Sequence, residues 1–362
     1  LYLRGLRACA DEPVHTVRRA KAIAHVLDHC PVVIDRQDCL LGKLSTEPLS
    51  PAETAELAAG RGVLALAGRG LRYGSGGTGG HRTVDFERVL DRGVKGLLRD
   101  VTARAARIDY SRPGDADAAF FCDACRVTLV ALLRFADRYR RRVLEVRDGE
   151  TDAGRQADWA RLAGILERVP AEPPRDFHEA IQSVWFIQLA LTFDDISCTG
   201  HPDRYLWPFY RQDLAAGTLT RGQALGLIEE LYLRSNEVFG DWPETIMVGG
   251  TARDGSPVMN DLTYLFIEAI ETVGLVNPNV ALCCREDTPR DLLELCLEKS
   301  ARGFSHPALY NDEVITAGLR EAGLSPEDAR YYQNSTCVEI TPVGCSNVQV
   351  VQATINPVKA LE

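Results

Sequence analysis

The sequence lacks several features that would assign it to a class at once. No apolar run reaches the roughly 18 residues of a membrane-spanning helix, and the first residues do not form a signal peptide. No basic block or stripe occurs, and the net charge is −10, which argues against nucleic-acid binding. We therefore expect a cytoplasmic protein whose partners include neither a membrane nor a nucleic acid.

Methionine is scarce, and the cysteines and histidines follow no recognisable framework. The chain has two methionines, begins at Leu1 and ends at Glu362 in what resembles the first turn of a helix, so we expect truncation at both ends. Its eleven cysteines are odd in number, which is typical of free thiols in a reducing compartment. Its seven histidines show no metal-ligand spacing, so we expect no bound metal.

Helical periodicity dominates the first half of the sequence. Residues 1–170 are predicted to be helix-rich, and Val169–Pro174 is the clearest boundary. In residues 171–362, helices alternate with apolar strands, which indicates an α/β arrangement. The predicted helices are 86–105, 116–147, a helix starting after Asp176, 220–238, 260–273, 289–302 and 312–323, and the predicted strands are Pro31–Ile34 and Val276–Cys284.

Two familiar motifs are weak in this context. The run 74–79 matches G-x-G-x-x-G but no buried strand precedes it, so a flexible loop is favoured and no nucleotide is expected. Cys122 and Cys125 form a C-x-x-C inside a helical pattern, which favours structural thiols. His81 follows the glycine run and precedes a helix; at such a loop-to-helix corner it is a candidate for lining a site.

Cys337 and Glu339 are the most informative pair in the sequence. In an extended segment, residues i and i+2 point to the same side, so a sulfur and a carboxylate would converge. A half-buried strand with Val338 and Ile340 inward is the plainer interpretation. A nearby carboxylate raises the pKa of a thiol, which argues against a thiolate nucleophile. The pair is compatible with a cysteine that reacts as a neutral, one-electron species beside a proton acceptor.

Several segments, taken in order, resemble the glycyl radical enzymes of the pyruvate formate-lyase superfamily. Each is weak alone, but their joint order is specific. They are Arg18–Ala22 with Pro31–Ile34, Gly80–Phe86, Asp176–Leu189, Asp203–Tyr210, Pro307–Glu313 and Cys337–Glu339. The Cys-x-Glu pattern is similar to the eliminases and decarboxylases of that superfamily rather than to pyruvate formate-lyase itself, which has two adjacent cysteines.

The resemblance implies part of a ten-strand α/β barrel with a helix-rich N-terminal region and a finger loop carrying Cys337. It implies a thiyl radical at Cys337, formed by a glycyl radical that a radical S-adenosylmethionine activating enzyme installs. It also implies that Glu339 is the general acid or base for elimination or decarboxylation of a small metabolite. His81, Ser197 and Cys198 are the expected substrate-binding residues. A homodimer under anaerobic conditions is the expected form.

The sequence departs from the family pattern in several places. Thr336 replaces the usual glycine before the cysteine, and Val351 stands where diol dehydratases place an acid, which argues against diol dehydration. The radical glycine would lie outside this chain, so we expect a piece that is inactive alone. Acyl transfer like that of formate C-acetyltransferase, or a non-catalytic remnant serving as a structural or binding subunit, stays open.

Overall fold

The computed structural model describes residues 1–70, 80–194, 197–239, 244–335, 339–344 and 347–349. Among these residues, no helix combines the length and the apolar character needed to cross a membrane. The glycine run 74–79 lies outside the described residues.

The first part of the chain is helical, as predicted. Its helices are α1 (Tyr2–Ala8), α2 (His15–His29), α3 (Pro51–Gly70), α4 (Phe86–Ala105), α5 (Asp115–Gly149) and α6 (Ala153–Arg168). Asp85 and Asp152 start α4 and α6 by accepting backbone N–H groups that the first turn leaves free. Cys122 and Cys125 lie within α5, as the helical pattern predicted.

The second part alternates helices and strands, which confirms the predicted α/β arrangement. Its helices are α7 (Phe177–Thr192), α8 (Pro202–Tyr205), α9 (Trp207–Ala216), α10 (Arg221–Phe239), α11 (Asp261–Val273), α12 (Arg290–Ala301), α13 (Asp312–Glu321) and α14 (Pro326–Arg330). The strands of the whole chain are β1 (Gly80–Thr83), β2 (Ser197–Cys198), β3 (Thr245–Gly249), β4 (Asn279–Cys284), β5 (Ala308–Asn311), β6 (Tyr332–Asn334), β7 (Ile340–Pro342) and β8 (Asn347–Gln349).

The described strands form two three-stranded sheets, in the orders β2–β1–β8 and β3–β4–β5, and the pair β6–β7. Strands β3, β4 and β5 are parallel, and β1 pairs in parallel with β2 and in antiparallel with β8. A bridge between Gly200 and Ile246 connects the two sheets. Since side chains alternate along a strand, Ile246 and Val248 pack into the main hydrophobic core, whereas Met247 packs on the other face, with Ala281 and Cys283.

Two local predictions are wrong. Pro31–Ile34 is irregular, because no described strand lies beside it and its apolar residues Val32 and Ile34 pack against the core instead. His81 lies in β1 and not at a loop-to-helix corner, because its backbone pairs with Val348 of β8, and α4 begins only after Asp85.

The hydrophobic core crosses the predicted boundary at Val169–Pro174. Phe135 and Tyr139 of α5 contact Phe186 of α7, with ring centroids 4.9 and 5.3 Å apart. The indole N–H of Trp185 donates to the carbonyl oxygen of Gly42 at 2.9 Å. The division into residues 1–170 and 171–362 stays a prediction, but their apolar side chains form one cluster.

Candidate active site

The strands on either side of the predicted cysteine pair with each other as a hairpin. In this hairpin, β6 and β7 are antiparallel, with Asn334 opposite Ile340. The Ser335 N–H donates to the Glu339 carbonyl oxygen at 2.8 Å. Thr336, Cys337 and Val338 lie outside the described residues, so the convergence of Cys337 with Glu339 stays a prediction. Glu339 directly precedes β7.

Strand β6 packs onto the β3–β5 sheet, on the face that carries Met247. Tyr332 is fully buried against Met247, Ala281 and Cys283. Its hydroxyl donates to Asp312 Oδ1 at 2.8 Å, and the Asn334 N–H contacts Met247 Sδ at 2.8 Å. These contacts seat one strand of the hairpin on a largely apolar surface.

Three further contacts hold the hairpin from the other side. The Nε2 of His201 donates to the Tyr332 carbonyl oxygen at 2.6 Å. The Thr83 hydroxyl at the end of β1 donates to the Pro342 carbonyl oxygen at 3.3 Å. Arg204 donates to the Arg330 carbonyl oxygen at 3.3 Å. These partners come from β1 and from the segment after β2, so the hairpin contacts the β1–β2 part of the molecule as well as the β3–β5 sheet.

The Glu339 side chain is half-buried at the loop end of the hairpin. The Ser335 hydroxyl donates to Glu339 Oε2 at 2.9 Å, so the loop orients its own carboxylate. Tyr310 of β5 accepts from Asn334 Nδ2 at 2.6 Å. Burial raises the pKa of Tyr310, and the nearby thiol of Cys283 and carboxylate of Glu339 raise that pKa further. The Glu339 carboxylate therefore acts electrostatically on the Tyr310 hydroxyl.

The other predicted site residues lie on neighbouring strands. In the β1–β2 register, Arg82 is opposite Ser197 and Thr83 is opposite Cys198, which places the backbone of His81 beside the same strand. The Ser197 hydroxyl donates to Gln188 Oε1 at 2.9 Å, and both Ser197 and Cys198 are fully buried. Their assignment as substrate-binding residues, like that of His81, stays a prediction.

Two buried carboxyl groups lie near the two ends of β3, the strand that carries Met247. Asp203 accepts from the Gly249 N–H at 2.6 Å and from the Thr263 hydroxyl at 2.8 Å, and burial raises its pKa to about 6. Glu244 accepts from the hydroxyls of Ser235, at 2.8 Å, and Thr199. Burial raises the pKa of Glu244 to about 7. Both acids hold backbone segments that carry the strands of the site.

Sequence reasoning did not single out four residues in or beside the hairpin. Gln333 and Asn334 lie in β6, and His201 and Tyr310 contact that strand. Tyr310 lies in the Pro307–Glu313 segment that carried the resemblance, so its motif was visible but its role was not. Gln333 and Asn334 are adjacent polar residues in a short strand and are both buried, which is a signal that burial alone supplies.

Two adjacent thiols lie at the end of β4. Cys283 is fully buried and Cys284 is half-buried, on opposite faces of β4. Burial raises the pKa of the Cys283 thiol to about 12. Within the described ranges, no group of three His, Cys, Asp or Glu side chains lies close enough together to hold a metal ion.

Known proteins resemble this chain over most of its length. A family model described as "Pyruvate formate lyase-like" matches residues 72–362. Isethionate sulfite-lyase from Oleidesulfovibrio alaskensis is 32% identical over 275 residues, which cover 70% of this chain and 33% of that protein. Trans-4-hydroxy-L-proline dehydratase from Clostridioides difficile is 29% identical over 305 residues, covering 78% of this chain and 38% of that protein. The chain thus spans about a third of the length of these relatives.

Solved structures show the same fold. The B12-independent glycerol dehydratase from Clostridium butyricum superposes with a TM-score of 0.85 at 23% identity, covering 95% of this chain and 52% of that chain. A glycyl radical enzyme from Archaeoglobus fulgidus gives a TM-score of 0.82 at 24% identity, covering 95% and 53%. These likenesses confirm that the strands form part of a glycyl radical enzyme barrel beside a helix-rich N-terminal region. The chain belongs to the pyruvate formate lyase-like family of glycyl radical enzymes.

Proposed function

We propose that this chain carries the thiyl half of a glycyl radical lyase that eliminates a leaving group from a small metabolite. The observation that carries the proposal is the hairpin: β6 and β7 pair on either side of residues 335–339, β6 contacts Met247 of β3, and Glu339 accepts a hydrogen bond from Ser335. The relatives named above are a lyase and a dehydratase, which agrees with an elimination.

The surroundings of the hairpin fit radical chemistry. Met247, Ala281 and Cys283 of the β3–β5 sheet form one buried cluster with Tyr332 of the hairpin. An apolar environment that excludes water protects a reactive intermediate from side reactions. A glycyl radical elsewhere in the protein, installed by a radical S-adenosylmethionine activating enzyme, would supply the one-electron oxidation of the Cys337 thiol.

The residues of this chain then have separate roles in the proposal. The Cys337 thiyl takes a hydrogen atom from a substrate carbon, which restores the thiol and leaves a carbon radical. The Glu339 carboxylate accepts a proton from the substrate group on that carbon, and the leaving group departs from the adjacent carbon with its bonding electron pair. The product radical recovers a hydrogen atom from Cys337, which regenerates the thiyl.

Acyl transfer is the weaker alternative, because Thr336 supplies no second thiol beside Cys337. Which substrate bond the enzyme breaks depends on which substrate it accepts. Isethionate and trans-4-hydroxy-L-proline, the substrates in the names of the relatives, and glycerol, named with the solved structure, form the first test panel.

The test uses the full-length protein, activated anaerobically and assayed with that panel. Cys337→Ser should keep the glycyl radical signal in electron paramagnetic resonance and lose turnover. Glu339→Gln should lose elimination by at least about a hundredfold while solvent-hydrogen exchange into the substrate stays detectable, because general acid–base catalysis contributes that much. Cys284→Ser and Glu298→Gln are the matched controls and should behave like the wild type. Normal turnover in Cys337→Ser would refute the proposal.

A further inference from the structure

Gln333 is an unusual buried residue. Its side chain is fully buried, and neither its amide nitrogen nor its amide oxygen has a hydrogen-bond partner in the described part of the chain. Buried side-chain amides in folded proteins nearly always have hydrogen-bond partners, supplied by protein, ordered water or a ligand. This carboxamide therefore has hydrogen-bonding capacity left for a group of matching polarity beside it.

The position of Gln333 connects it to the candidate site. It lies in β6, two residues before Ser335, and faces Gly200, which lies two residues after the end of β2. A Cβ atom on Gly200 would stand 2.6 Å from Gln333 Oε1, and the φ of Gly200 is +72°. Glycine at position 200 thus leaves the space that the carboxamide occupies.

His201 adds a second unpartnered group next to it. Its Nε2 donates to the carbonyl oxygen of Tyr332, the residue before Gln333, so its Nδ1 keeps a lone pair. That Nδ1 is buried and has no partner among the described residues. Burial, with the charge of Arg204, holds the pKa of His201 well below its usual range, so the ring is neutral. The Gly200–His201 and Tyr332–Gln333 pairs lie side by side.

We propose that Gln333, with His201 beside it, is a substrate-recognition residue that hydrogen-bonds a neutral polar group of the substrate, either a hydroxyl or a carboxamide. Gln333 offers the two N–H groups of its amide nitrogen and an acceptor oxygen, and His201 offers a further acceptor, so a group that satisfies both residues must donate as well as accept. A carboxylate or sulfonate only accepts and would face the His201 lone pair. The inference rests on the proposed function, since the group recognised belongs to the molecule on which Cys337 and Glu339 act.

The test measures binding in the unactivated full-length protein, so that it needs no radical. Ethane-1,2-diol and acetamide are the neutral probes, and acetate is the anionic comparison, each titrated by NMR and soaked into crystals. We expect both neutral probes to contact Gln333 in the crystals and to bind more tightly than acetate. Gln333→Leu should weaken the neutral probes about tenfold, as the loss of hydrogen bonds predicts, and Gln333→Met serves if the leucine variant does not fold. Gln37→Leu, at an exposed glutamine, should leave binding unchanged.

Stability separates recognition from a structural role. A recognition residue left unpartnered in the free protein gives Gln333→Leu a Tm equal to or above that of the wild type, because an unsatisfied buried amide is removed. A lower Tm with unchanged probe binding would assign Gln333 a structural role and overturn the proposal. Crystals that show only ordered water at Gln333 under saturating probe would overturn it too. A failed Cys337→Ser test would remove the proposed chemistry while these binding results stood.

Discussion

At the scale of single residues, Glu244 is a buried acid without a basic partner among the described residues. Its carboxyl group accepts from the hydroxyls of Thr199 and Ser235 and, at 3.4 Å, from Gln188 Nε2. These hydrogen bonds connect β2, α7 and α10 to the start of β3. Burial raises the pKa of Glu244 from 4.5 to about 7, so the folded protein holds a proton there that the unfolded chain releases.

Glu244→Gln should therefore stabilise the protein at alkaline pH. Since the folded pKa is the higher one, the wild-type stability is fully present below pH 4.5 and falls as the pH rises through about 7. The variant cannot ionise and avoids that loss, which amounts to about 3 kcal/mol. Urea unfolding should show a gain at pH 8 that disappears at pH 4.

The matched control for this prediction is Glu298→Gln, at an exposed position of α12. It should change the free energy of unfolding little at either pH, because its side chain is exposed in the folded protein. A Glu244→Gln variant whose stability follows the wild type at every pH would show that Glu244 is ionised in the folded protein.

At the scale of elements, α4 contains a kink that its hydrophobic pattern conceals. Gly93 has φ 59° and ψ 166°, far from helical values. The N–H groups of Val94 and Lys95 donate to the carbonyl oxygens of Pro170 and Ala171, at 2.9 and 3.0 Å. A Cβ atom at Gly93 would lie 2.7 Å from the Ala171 carbonyl oxygen. The kink thus lets the boundary segment pack directly against the helix.

Gly93→Ala should destabilise the protein by about 3 kcal/mol, because alanine is strained at this φ and its methyl group meets backbone atoms. Gly164→Ala is the matched helical control. Nothing lies within 4 Å of a Cβ at Gly164, so that change should stabilise α6 by about 0.5–1 kcal/mol. Chemical denaturation of both variants checks the pair, and equal effects would contradict the assigned strain.

The sequence predicted the elements of this fold better than their local geometry. Periodicity located α4, α5 and α10 because each repeats an apolar face over several turns. It could not reveal the kink at Gly93, since one glycine in a periodic run leaves the pattern intact. The pairing of β6 with β7 was not predicted, and the extended conformation expected for Cys337–Glu339 stays a prediction, because Thr336, Cys337 and Val338 lie outside the described residues. Strand pairing between 332–334 and 340–342 depends on contacts with Met247 and His201, which are distant in sequence.

The residues of the candidate site also fall into those that the sequence predicted and those that it did not. Chemistry and the family motifs indicated Cys337 and Glu339, because those residue types at that spacing are informative by themselves. Gln333, Tyr310 and His201 carry no such signal, and their importance comes from burial and from the partners that surround them. The sequence thus predicts reacting groups more readily than the residues that orient a substrate.

At the scale of the whole molecule, one core unites the helix-rich part and the α/β part. Phe186 of α7 is fully buried and contacts Phe135 and Tyr139 of α5, and the same cluster continues to Val280 and Leu282 of β4. A shared core of this kind makes the two predicted parts depend on each other for stability. We therefore expect them to unfold together.

Phe186→Ala should lower the free energy of unfolding by about 3–5 kcal/mol, the usual cost of deleting a buried phenylalanine ring. Because the ring is shared, hydrogen exchange measured by mass spectrometry should lose the same protection in α5 and in β4. Phe121→Ala, on α5 but 63% exposed, should leave both elements unchanged. If Phe186→Ala weakened protection in β4 alone while α5 kept its own, residues 1–170 would be an independent folding unit, and the single core would not govern the stability of the chain.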